Sequence, residues 1–250
     1  MKKFGLIGYP LSHSFSKKYF SEKFEKEDIK DCQYELYPLA SIEEMPGLLA
    51  SEPELVGLNV TIPYKEQVIP FLDELDPKAE AIGAVNTIVI ENGKLKGYNT
   101  DYYGFKDSLV KLVGTQAMPE KALILGTGGA SKAVKATLVD LGIDFQFVSR
   151  SSAKGQLTYE DLSTSTHEHF KTSRLIINTT PLGTSPNVDQ LPGLPYEQLT
   201  ADHYLYDLVY NPLITAFMKK GIDAGCWVKN GLEMLHGQAE KAWEIWSNPS

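Results

Sequence analysis

The residues best suited to chemistry form four polar clusters in the first hundred positions. The clusters are Gly8–Ser16, Asn59–Lys65, Gly83–Thr87 and Gly97–Asp101. Each adjoins a predicted strand, and an open α/β sheet presents its ligands at strand ends. Together they offer hydroxyls, amides, a lysine and a carboxylate. We therefore expect a ligand site along one edge of the sheet.

Each cluster also has an ordinary structural interpretation. Ser14 or Ser16 could cap the helix that follows, and Asp101 could cap the next one, because short polar side chains accept hydrogen bonds from helix N-termini. Gly83–Thr87 could be a turn that leads into a strand. From the residues alone, both interpretations stay open.

Lys65 is unusual in its predicted position. Asn59 and Thr61 fall on one face of a strand, because strand side chains alternate with a period of two. Lys65 follows in the first turn of a helix predicted over 64–72, where the helix dipole disfavours a cation. A lone lysine is usually a solvated surface charge, but this placement indicates that another group holds it.

A glycine-rich loop, Gly126–Ser131, lies between a predicted strand at 122–125 and a helix at 131–141, and a second strand follows at 145–148. This order lets backbone N–H groups and a helix N-terminus approach a pyrophosphate. Ser131 stands where the usual pattern has glycine or alanine, so an ordinary turn of small residues is the alternative. The surrounding elements favour a dinucleotide, with contacts from Gly126, Gly128, Gly129 and Ala130.

The end of the second strand indicates which dinucleotide binds. NAD sites usually place a carboxylate there for the ribose 2′-hydroxyl, whereas NADP sites supply cations for a phosphate. The segment from Val148 to Lys154 has no acid and contains Ser149, Arg150 and Lys154. A solvated basic turn is the alternative, but the missing acid favours NADP(H).

Alternating βα patterns run through the rest of the chain. Strands are predicted at 4–7, 34–37, 56–62, 87–90, 175–178 and 204–209, and Asn92-Gly93 predicts a tight hairpin. Further helices are predicted at 17–26, 41–50, 102–113 and 232–246. The weakly patterned segment 155–173 supports no assignment.

Composition narrows the possible partners. The chain has 250 residues, of which 42% are hydrophobic and 22% charged, as in ordinary globular proteins with one or two domains. Its net charge of -8 argues against nucleic-acid binding, which depends on lysine and arginine. Two distant cysteines favour a reducing cytoplasm. No apolar run is long enough for a membrane span or a signal segment.

The alternating histidines His167 and His169 are conceivable metal ligands. No cysteine or third histidine lies near them in the sequence, and their segment is polar. A zinc site normally needs three or four such ligands. We therefore interpret the pair as part of a solvated loop and predict no metal.

Six motifs in order resemble those of the shikimate dehydrogenases over nearly the whole chain. They are GYPLSHSFS, NVTIPYK, GAVNT, YNTD, LGTGGAS and NGLEMLHGQA. The resemblance implies reduction of 3-dehydroshikimate to shikimate with NADPH. It also implies an α/β enzyme with an N-terminal substrate domain, 1–101, and a Rossmann-type NADP-binding domain, 102–231. The C-terminal helix, 232–250, is expected to pack back on the N-terminal domain.

The same resemblance assigns roles to residues. Lys65 and Asp101 become the catalytic residues, and cofactor contacts extend to Thr179, Leu208 and Gly231. Lys65 would stabilise or protonate the oxygen that gains negative charge, and Asp101 would favour the charged lysine, so both mechanisms stay open. Substrate contacts are implied for Ser14, Ser16, Asn59, Thr61, Lys65, Asn86, Asp101 and Gln238.

Two departures and three alternatives accompany the resemblance. The family's Asn-Arg-Thr after the second Rossmann strand is Ser149-Arg150-Ser151 here, and segment 155–173 is shorter than usual. A relative that oxidises quinate or uses NAD, an NADP(H) sensor without activity, and a folate-linked dehydrogenase are the alternatives. Arg150 argues against the relative that oxidises quinate or uses NAD. Lys65 and Asp101 argue against the sensor, and the SHS and YNTD motifs argue against the folate-linked dehydrogenase. Either a monomer or a homodimer is compatible with the sequence.

Overall fold

A computed structural model describes residues 1–11, 14–164 and 168–248. The chain forms two compact units. The first comprises Met1–Thr100 together with the chain from Ala239 onward, and the second comprises Asp101–Gln238. Within the described ranges, no helix has the length and apolar character needed to cross a membrane.

Unit 1 contains a six-stranded mixed sheet. Its strands are β1 (Lys2–Gly8), β2 (Cys32–Pro38), β3 (Leu55–Val60), β4 (Glu74–Leu75), β5 (Thr87–Glu91) and β6 (Lys94–Tyr98), and its first helices are α1 (Phe15–Lys26), α2 (Met45–Ser51) and α3 (Pro77–Ile82). The strand order is β2-β1-β3-β5-β6-β4. The first three strands are parallel, and β5 runs antiparallel to both β3 and β6.

The hairpin predicted at Asn92-Gly93 is confirmed. β5 and β6 pair around it, and both turn residues have positive φ, at 51° and 77°. Such turns match the right-handed twist of the flanking strands. Strand β1, which pairs with β2 and β3 in the parallel part of the sheet, is buried over its last five residues, as expected for a strand covered on both faces.

The helix predicted over 64–72 is wrong. Residues 64–68 form turns, and only a 3₁₀ helix follows at Ile69–Phe71. Pro70 lacks the N–H that a continuing helix needs. Lys65 therefore does not lie in the first turn of an α-helix, and the dipole argument for its partner no longer applies. The helix predicted at 41–50 is similarly divided, into a 3₁₀ turn at Ile42–Glu44 and then α2.

Unit 2 is built around a six-stranded, fully parallel sheet of order β12-β11-β10-β7-β8-β9. This is the order of a doubly wound dinucleotide-binding fold, in which the topology reverses between β7 and β10. The elements are α4 (Thr100–Val113), β7 (Lys121–Leu125), α5 (Gly129–Asp140), β8 (Asp144–Ser149), β9 (Leu157–Thr158), α6 (Tyr159–Thr164), α7 (Glu168–Thr172), β10 (Leu175–Asn178), β11 (Tyr204–Asp207), α8 (Ala216–Asp223), β12 (Trp227–Lys229) and α9 (Leu232–Ser247).

The weakly patterned segment contains short elements. β9 and α6 occupy its first half and α7 its second, and each helix is anchored by a single deeply buried side chain, Leu162 or Phe170. One apolar residue per short element produces no detectable periodicity. The elements α3, α8, β4 and β12 have no counterpart among the sequence predictions, and three of the four are six residues or shorter.

The last helix, α9, contributes to the core of unit 1 through its second half. Ala239, Ala242 and Trp246 are buried there, and the Trp246 ring lies 4.9 Å from that of Phe4. The Trp246 indole N–H donates to the Ile88 carbonyl at 2.9 Å. The most distant part of the sequence therefore completes the core formed by the first hundred residues.

Candidate active site

The glycine loop lies at the topological switch point of unit 2, where β7 and β10 end side by side. Gly126 has φ of 99°, a conformation that favours glycine. A Cβ at this position would lie 2.9 Å from Thr180 Cγ2 and 3.1 Å from Thr179 Oγ1. No side chain caps α5, whose N-cap is Gly128. The backbone here is thus open to a ligand.

Ser131 has a local structural role in this loop. It is buried, and its hydroxyl donates to the Gly128 carbonyl at 2.6 Å. The side chain that replaces the usual glycine or alanine therefore closes the turn from within. It does not extend toward the open side of the loop, so the departure from the common pattern leaves the backbone at the N-terminus of α5 uncovered.

The turn after β8 carries two cationic side chains and is fixed by an internal hydrogen bond. Ser149 is buried, and its hydroxyl accepts from the Ser151 amide at 3.4 Å. Arg150 and Lys154 are exposed, and neither forms an ion pair with any residue in the described ranges. Burial raises the pKa of Tyr159, and the positive charge of Arg150 opposes this shift, which places the guanidinium near that ring. Two cations thus stand at the end of the second strand.

Three further predicted cofactor residues, Thr179, Leu208 and Gly231, lie at or beside the ends of neighbouring strands. Thr179 donates through both its amide and its hydroxyl to the Leu125 carbonyl, at 3.0 and 2.7 Å, and so ties β10 to β7. Gly231 packs directly against Leu208, since a Cβ there would overlap the Leu208 carbonyl. The glycine loop, Thr179 and Leu208 therefore lie along the same edge of the sheet.

In unit 1 the side-chain amide of Asn86 is fixed by hydrogen bonds to its oxygen. Asn86 Oδ1 accepts from the Thr100 amide at 2.6 Å, from the Thr100 hydroxyl at 3.1 Å and from the Thr87 hydroxyl at 3.2 Å. Within the described ranges, no protein acceptor takes a hydrogen bond from Asn86 Nδ2. The rotamer is thereby fixed, and the N–H groups are available to a ligand acceptor.

Asn59 forms hydrogen bonds that help to hold Asn86 and Thr87 in place. Its Oδ1 accepts from the Tyr34 hydroxyl at 2.7 Å, and its Nδ2 donates to the Asn86 carbonyl at 3.3 Å and to the Thr87 hydroxyl at 3.2 Å. Both N–H groups of the amide are therefore used within the protein. Asn59 connects the end of β3 to the segment that carries Asn86.

The two serines of the first cluster differ in their surroundings. Ser14 is the N-cap of α1, and its hydroxyl accepts from the Lys17 amide at 3.5 Å, so the capping interpretation is confirmed for this residue. Ser16 lies in the first turn of α1, where its hydroxyl interacts with the buried Tyr34 phenol. Capping leaves the Ser14 hydroxyl hydrogen available to a further acceptor.

Thr61 and Lys65 are positioned by backbone contacts. The Thr61 amide donates to the Ile7 carbonyl at 2.9 Å, and Gly8 gives the Thr61 methyl the room that a Cβ would occupy. The Lys65 carbonyl accepts from the Val85 amide at 2.7 Å. The loop with Lys65 is therefore tied to the segment that carries Asn86.

Asp101 and Gln238 belong to unit 2, on α4 and α9. The two helices approach closely, because a Cβ on Gly104 would overlap the backbone of Met234 and come within 2.8 Å of the Gln238 amide. Asp101 lies inside the first turn of α4, so the interpretation of Asp101 as an N-cap is wrong. Both side chains are buried, at 8% and 9% exposure.

A sequence model of the shikimate dehydrogenase substrate binding domain matches residues 6–88. The NADP+-dependent shikimate dehydrogenase of Clostridium beijerinckii is 41% identical over 255 residues, which covers 98% of this chain and 92% of that protein. The corresponding enzyme of Desulforamulus reducens is 36% identical over 260 residues, covering 97% and 89%. The chain belongs to the shikimate dehydrogenase family.

Solved structures of the family extend over the whole fold. The Thermus thermophilus shikimate 5-dehydrogenase in complex with NADP(H) and shikimate is 31% identical, with a TM-score of 0.84 over 99% of this chain and 94% of that one. Quinate dehydrogenase from Corynebacterium glutamicum in complex with NAD is 26% identical, with a TM-score of 0.88 over 98% and 93%. The predicted α/β class with two domains is confirmed.

A further polar cluster in unit 2 has no counterpart among the residues that the sequence motifs single out. The Asp207 carboxylate, at the end of β11, accepts from Asn178 Nδ2 at 2.9 Å, from the Val209 amide at 3.0 Å and from the Thr215 hydroxyl at 2.5 Å. Asn178 in turn accepts from the Thr180 amide and hydroxyl, at 3.0 and 2.6 Å. Burial raises the pKa of Asp207 to about 6, and these donors oppose the shift. The only available signal was a polar residue that ends each of two buried strands.

No group of three or more histidine, cysteine or acidic side chains suited to a metal ion occurs among the residues that the structure describes. His167 lies outside those residues, and so do Ser12 and His13 of the first motif. His169 lies in the short helix α7.

Proposed function

We propose that this chain catalyses the reversible NADPH-dependent reduction of 3-dehydroshikimate to shikimate. The observation that carries the proposal is the match over 97–98% of the chain to relatives named NADP+-dependent shikimate dehydrogenases. Residues 1–101 and 232–250 serve the substrate, and residues 102–231 serve the cofactor. The substrate is a small molecule.

The cofactor contacts rest on the switch point of unit 2. Gly126, Gly128, Gly129 and Ala130 bring backbone amides and the N-terminus of α5 to the pyrophosphate. Arg150 and Lys154 bind the 2′-phosphate, with Ser149 shaping their turn, because two cations suit a dianion and the turn has no carboxylate to repel it. Thr179, Leu208 and Gly231 line the nicotinamide site. NADPH, when bound, supplies the hydride.

The substrate contacts rest mainly on unit 1. Ser14 and Ser16 bind the substrate carboxylate, and the Asn86 amide donates to a ring oxygen from the position that Thr87 and Thr100 fix. Asn59, Thr61, Asp101 and Gln238 complete the set. These groups combine donors and acceptors, which suits a ring that carries several hydroxyls.

Lys65 acts on the carbonyl that is reduced. Addition of hydride to the carbonyl carbon leaves negative charge on its oxygen, which Lys65 Nζ stabilises and protonates to give the hydroxyl. Asp101 is the second catalytic residue of the proposal. In the oxidative direction the proton returns to Nζ as the hydride leaves.

Four initial rates test this function. NADPH or NADH formation is followed with shikimate and with quinate, each against NADP+ and NAD+. We expect the shikimate and NADP+ pair to be fastest by a wide margin. Quinate with NAD+ as the fastest pair would favour the activity named for the Corynebacterium glutamicum structure. Absence of all four rates, with NADPH binding retained, would favour an NADP(H) sensor.

Both cysteines of the chain, Cys32 and Cys226, are free thiols. Free thiols are typical of a reducing compartment, and we propose a cytoplasmic enzyme. The chain works as a monomer or a homodimer, which sedimentation equilibrium distinguishes.

A further inference from the structure

One buried tyrosine lies between the two parts of unit 1 that carry the proposed substrate contacts. Tyr34, on β2, is 3% exposed, and its ring stacks on Phe20 at 4.6 Å with an interplanar angle of 15°. Its hydroxyl donates to Asn59 Oδ1 at 2.7 Å and also interacts with the Ser16 hydroxyl. The phenol oxygen is therefore hydrogen-bonded to Asn59 of the asparagine cluster and lies near Ser16 of the serine cluster.

The contact with Asn59 determines which way its amide points. The oxygen and nitrogen of an amide side chain have nearly the same shape, and only their hydrogen-bond partners distinguish the two orientations. A hydroxyl donor at 2.7 Å selects the orientation with Oδ1 toward Tyr34. Nδ2 is then aimed at the Asn86 carbonyl and the Thr87 hydroxyl.

The effect continues to Asn86. The Thr87 hydroxyl, which accepts from Asn59, donates to Asn86 Oδ1 at 3.2 Å. Asn59 also holds the Asn86 carbonyl, and the Asn86 backbone N–H donates to the Tyr98 carbonyl at 3.0 Å. A reversed Asn59 amide would place an oxygen against the Asn86 carbonyl, which is repulsive.

We propose that Tyr34 is a positioning residue for substrate binding, which acts through Asn59 to hold the Asn86 amide in place. The inference rests on the proposed function. Tyr34 makes no contact with the reacting atoms, and its hydroxyl serves to align groups that do. The alternative is that this hydroxyl only stabilises the fold, as buried hydrogen bonds generally do.

Tyr34→Phe separates these two roles. The variant keeps the ring and its stacking and removes one oxygen. We expect the KM for shikimate to rise roughly tenfold, because a buried acceptor left without its donor costs about 1.4 kcal/mol in the aligned state. The KM for NADP+ should stay unchanged. KM does not depend on the fraction of folded enzyme, so partial unfolding cannot imitate this result.

Tyr37→Phe is the matched control. Tyr37 lies on the same strand, and its buried hydroxyl has no hydrogen-bond partner among the described residues. The control should leave the KM for shikimate unchanged. An unchanged KM in Tyr34→Phe, with a lowered melting temperature, would show a purely structural hydroxyl and overturn the proposal.

A second measurement tests the route through Asn59. In an Asn59→Leu background the further change Tyr34→Phe should alter the KM for shikimate by less than about twofold, since residues that act in series are not additive. A full effect in that background would overturn the route. If the wild-type enzyme does not oxidise shikimate, the proposed function itself is overturned. If the wild type is active and Tyr34→Phe leaves the KM for shikimate unchanged, only the role of Tyr34 is overturned.

Discussion

At the scale of single residues, two polar side chains of the proposed site use one atom for hydrogen bonds within the protein and keep another free to bond a ligand. Asn86 Oδ1 receives three donors from Thr87 and Thr100, and this fixes the direction of its N–H groups. Ser14 follows the same principle, because its oxygen caps α1 while its hydrogen can still be donated. In the proposed site, side chains fixed in this way lower the entropy cost of ordering the site when substrate binds.

Lys65→Met tests the chemical role of the lysine. We expect kcat to fall by about 100-fold or more, because the variant loses both the charge and the proton that meet the developing oxyanion. The KM for shikimate should change far less. Steady-state kinetics in the oxidative direction provide the measurement, and Lys94→Met, at the exposed hairpin of the same unit, is the control. Equal changes in kcat and KM would instead indicate that Lys65 only binds substrate.

Arg150→Ala tests the choice of cofactor. Loss of a charge-assisted contact to the 2′-phosphate should lower the preference for NADPH over NADH by roughly tenfold to hundredfold. The specificity constants for the two cofactors provide the measurement. Arg174, the other arginine of the chain, is exposed just before β10, and Arg174→Ala should leave the preference unchanged. An unaltered preference in Arg150→Ala would remove this residue from the phosphate site.

At the scale of elements, the ends of β10 and β11 are joined by a buried carboxylate. Asp207 accepts donors from Asn178, Val209 and Thr215, so it connects two strand ends to the start of α8. The loops that follow these strands carry Thr179 and Leu208. A single side chain therefore organises backbone that the proposed nicotinamide site uses.

The raised pKa of Asp207 has a consequence for stability. Its folded value is about 6 against an ordinary 3.8, so between these values the folded state binds more protons than the unfolded state. The Asp207 contribution to stability must then fall as pH rises through this window, by on the order of 3 kcal/mol. Asp207→Asn lacks this titration. Urea unfolding from pH 4 to 7 should show wild type losing stability relative to the variant, and parallel profiles would contradict the shift.

Predictability also differs from element to element. The βαβ unit around the glycine loop was predictable because long buried strands and an amphipathic helix have strong periodicity. The apolar residues of segment 64–72 recur at helical spacing and predict a helix, yet Pro70 and the hydrogen bond between the Lys65 carbonyl and the Val85 amide stabilise turns. Tertiary contacts override propensity most easily in such short segments.

At the scale of the whole molecule, unit 1 is not continuous in sequence. Its core includes Phe4 from the first strand, Phe20 from the first helix and Trp246 from the last helix. Folding of this unit thus requires the chain to return after the entire second unit. Contacts of such large sequence separation are slow to form.

Trp246→Ala tests this dependence. The variant loses a buried ring and the hydrogen bond to Ile88, and we expect it to reduce the free energy of unfolding by about 3–5 kcal/mol. Trp227→Ala, which removes a ring that is 56% exposed, should change it by only about 1 kcal/mol. Urea denaturation followed by circular dichroism provides the measurement. A loss in Trp246→Ala as small as the one expected for Trp227→Ala would show that unit 1 does not depend on the last helix.

The class of fold, the dinucleotide loop and the family could all be read from the amino-acid sequence, because they depend on local periodicity and on motifs whose residues are close in the chain. Asn59, Asn86 and Ser16 were likewise recognisable as polar groups near strand or helix ends. How those groups are connected depends on the folded chain. Tyr34 reads as an ordinary strand residue in the sequence, and its role arises because parallel pairing places β2 beside β1 and brings its hydroxyl to Asn59. Hydrogen bonds between residues far apart in sequence leave no local pattern, so the residues that hold this site in place emerge only in the tertiary structure.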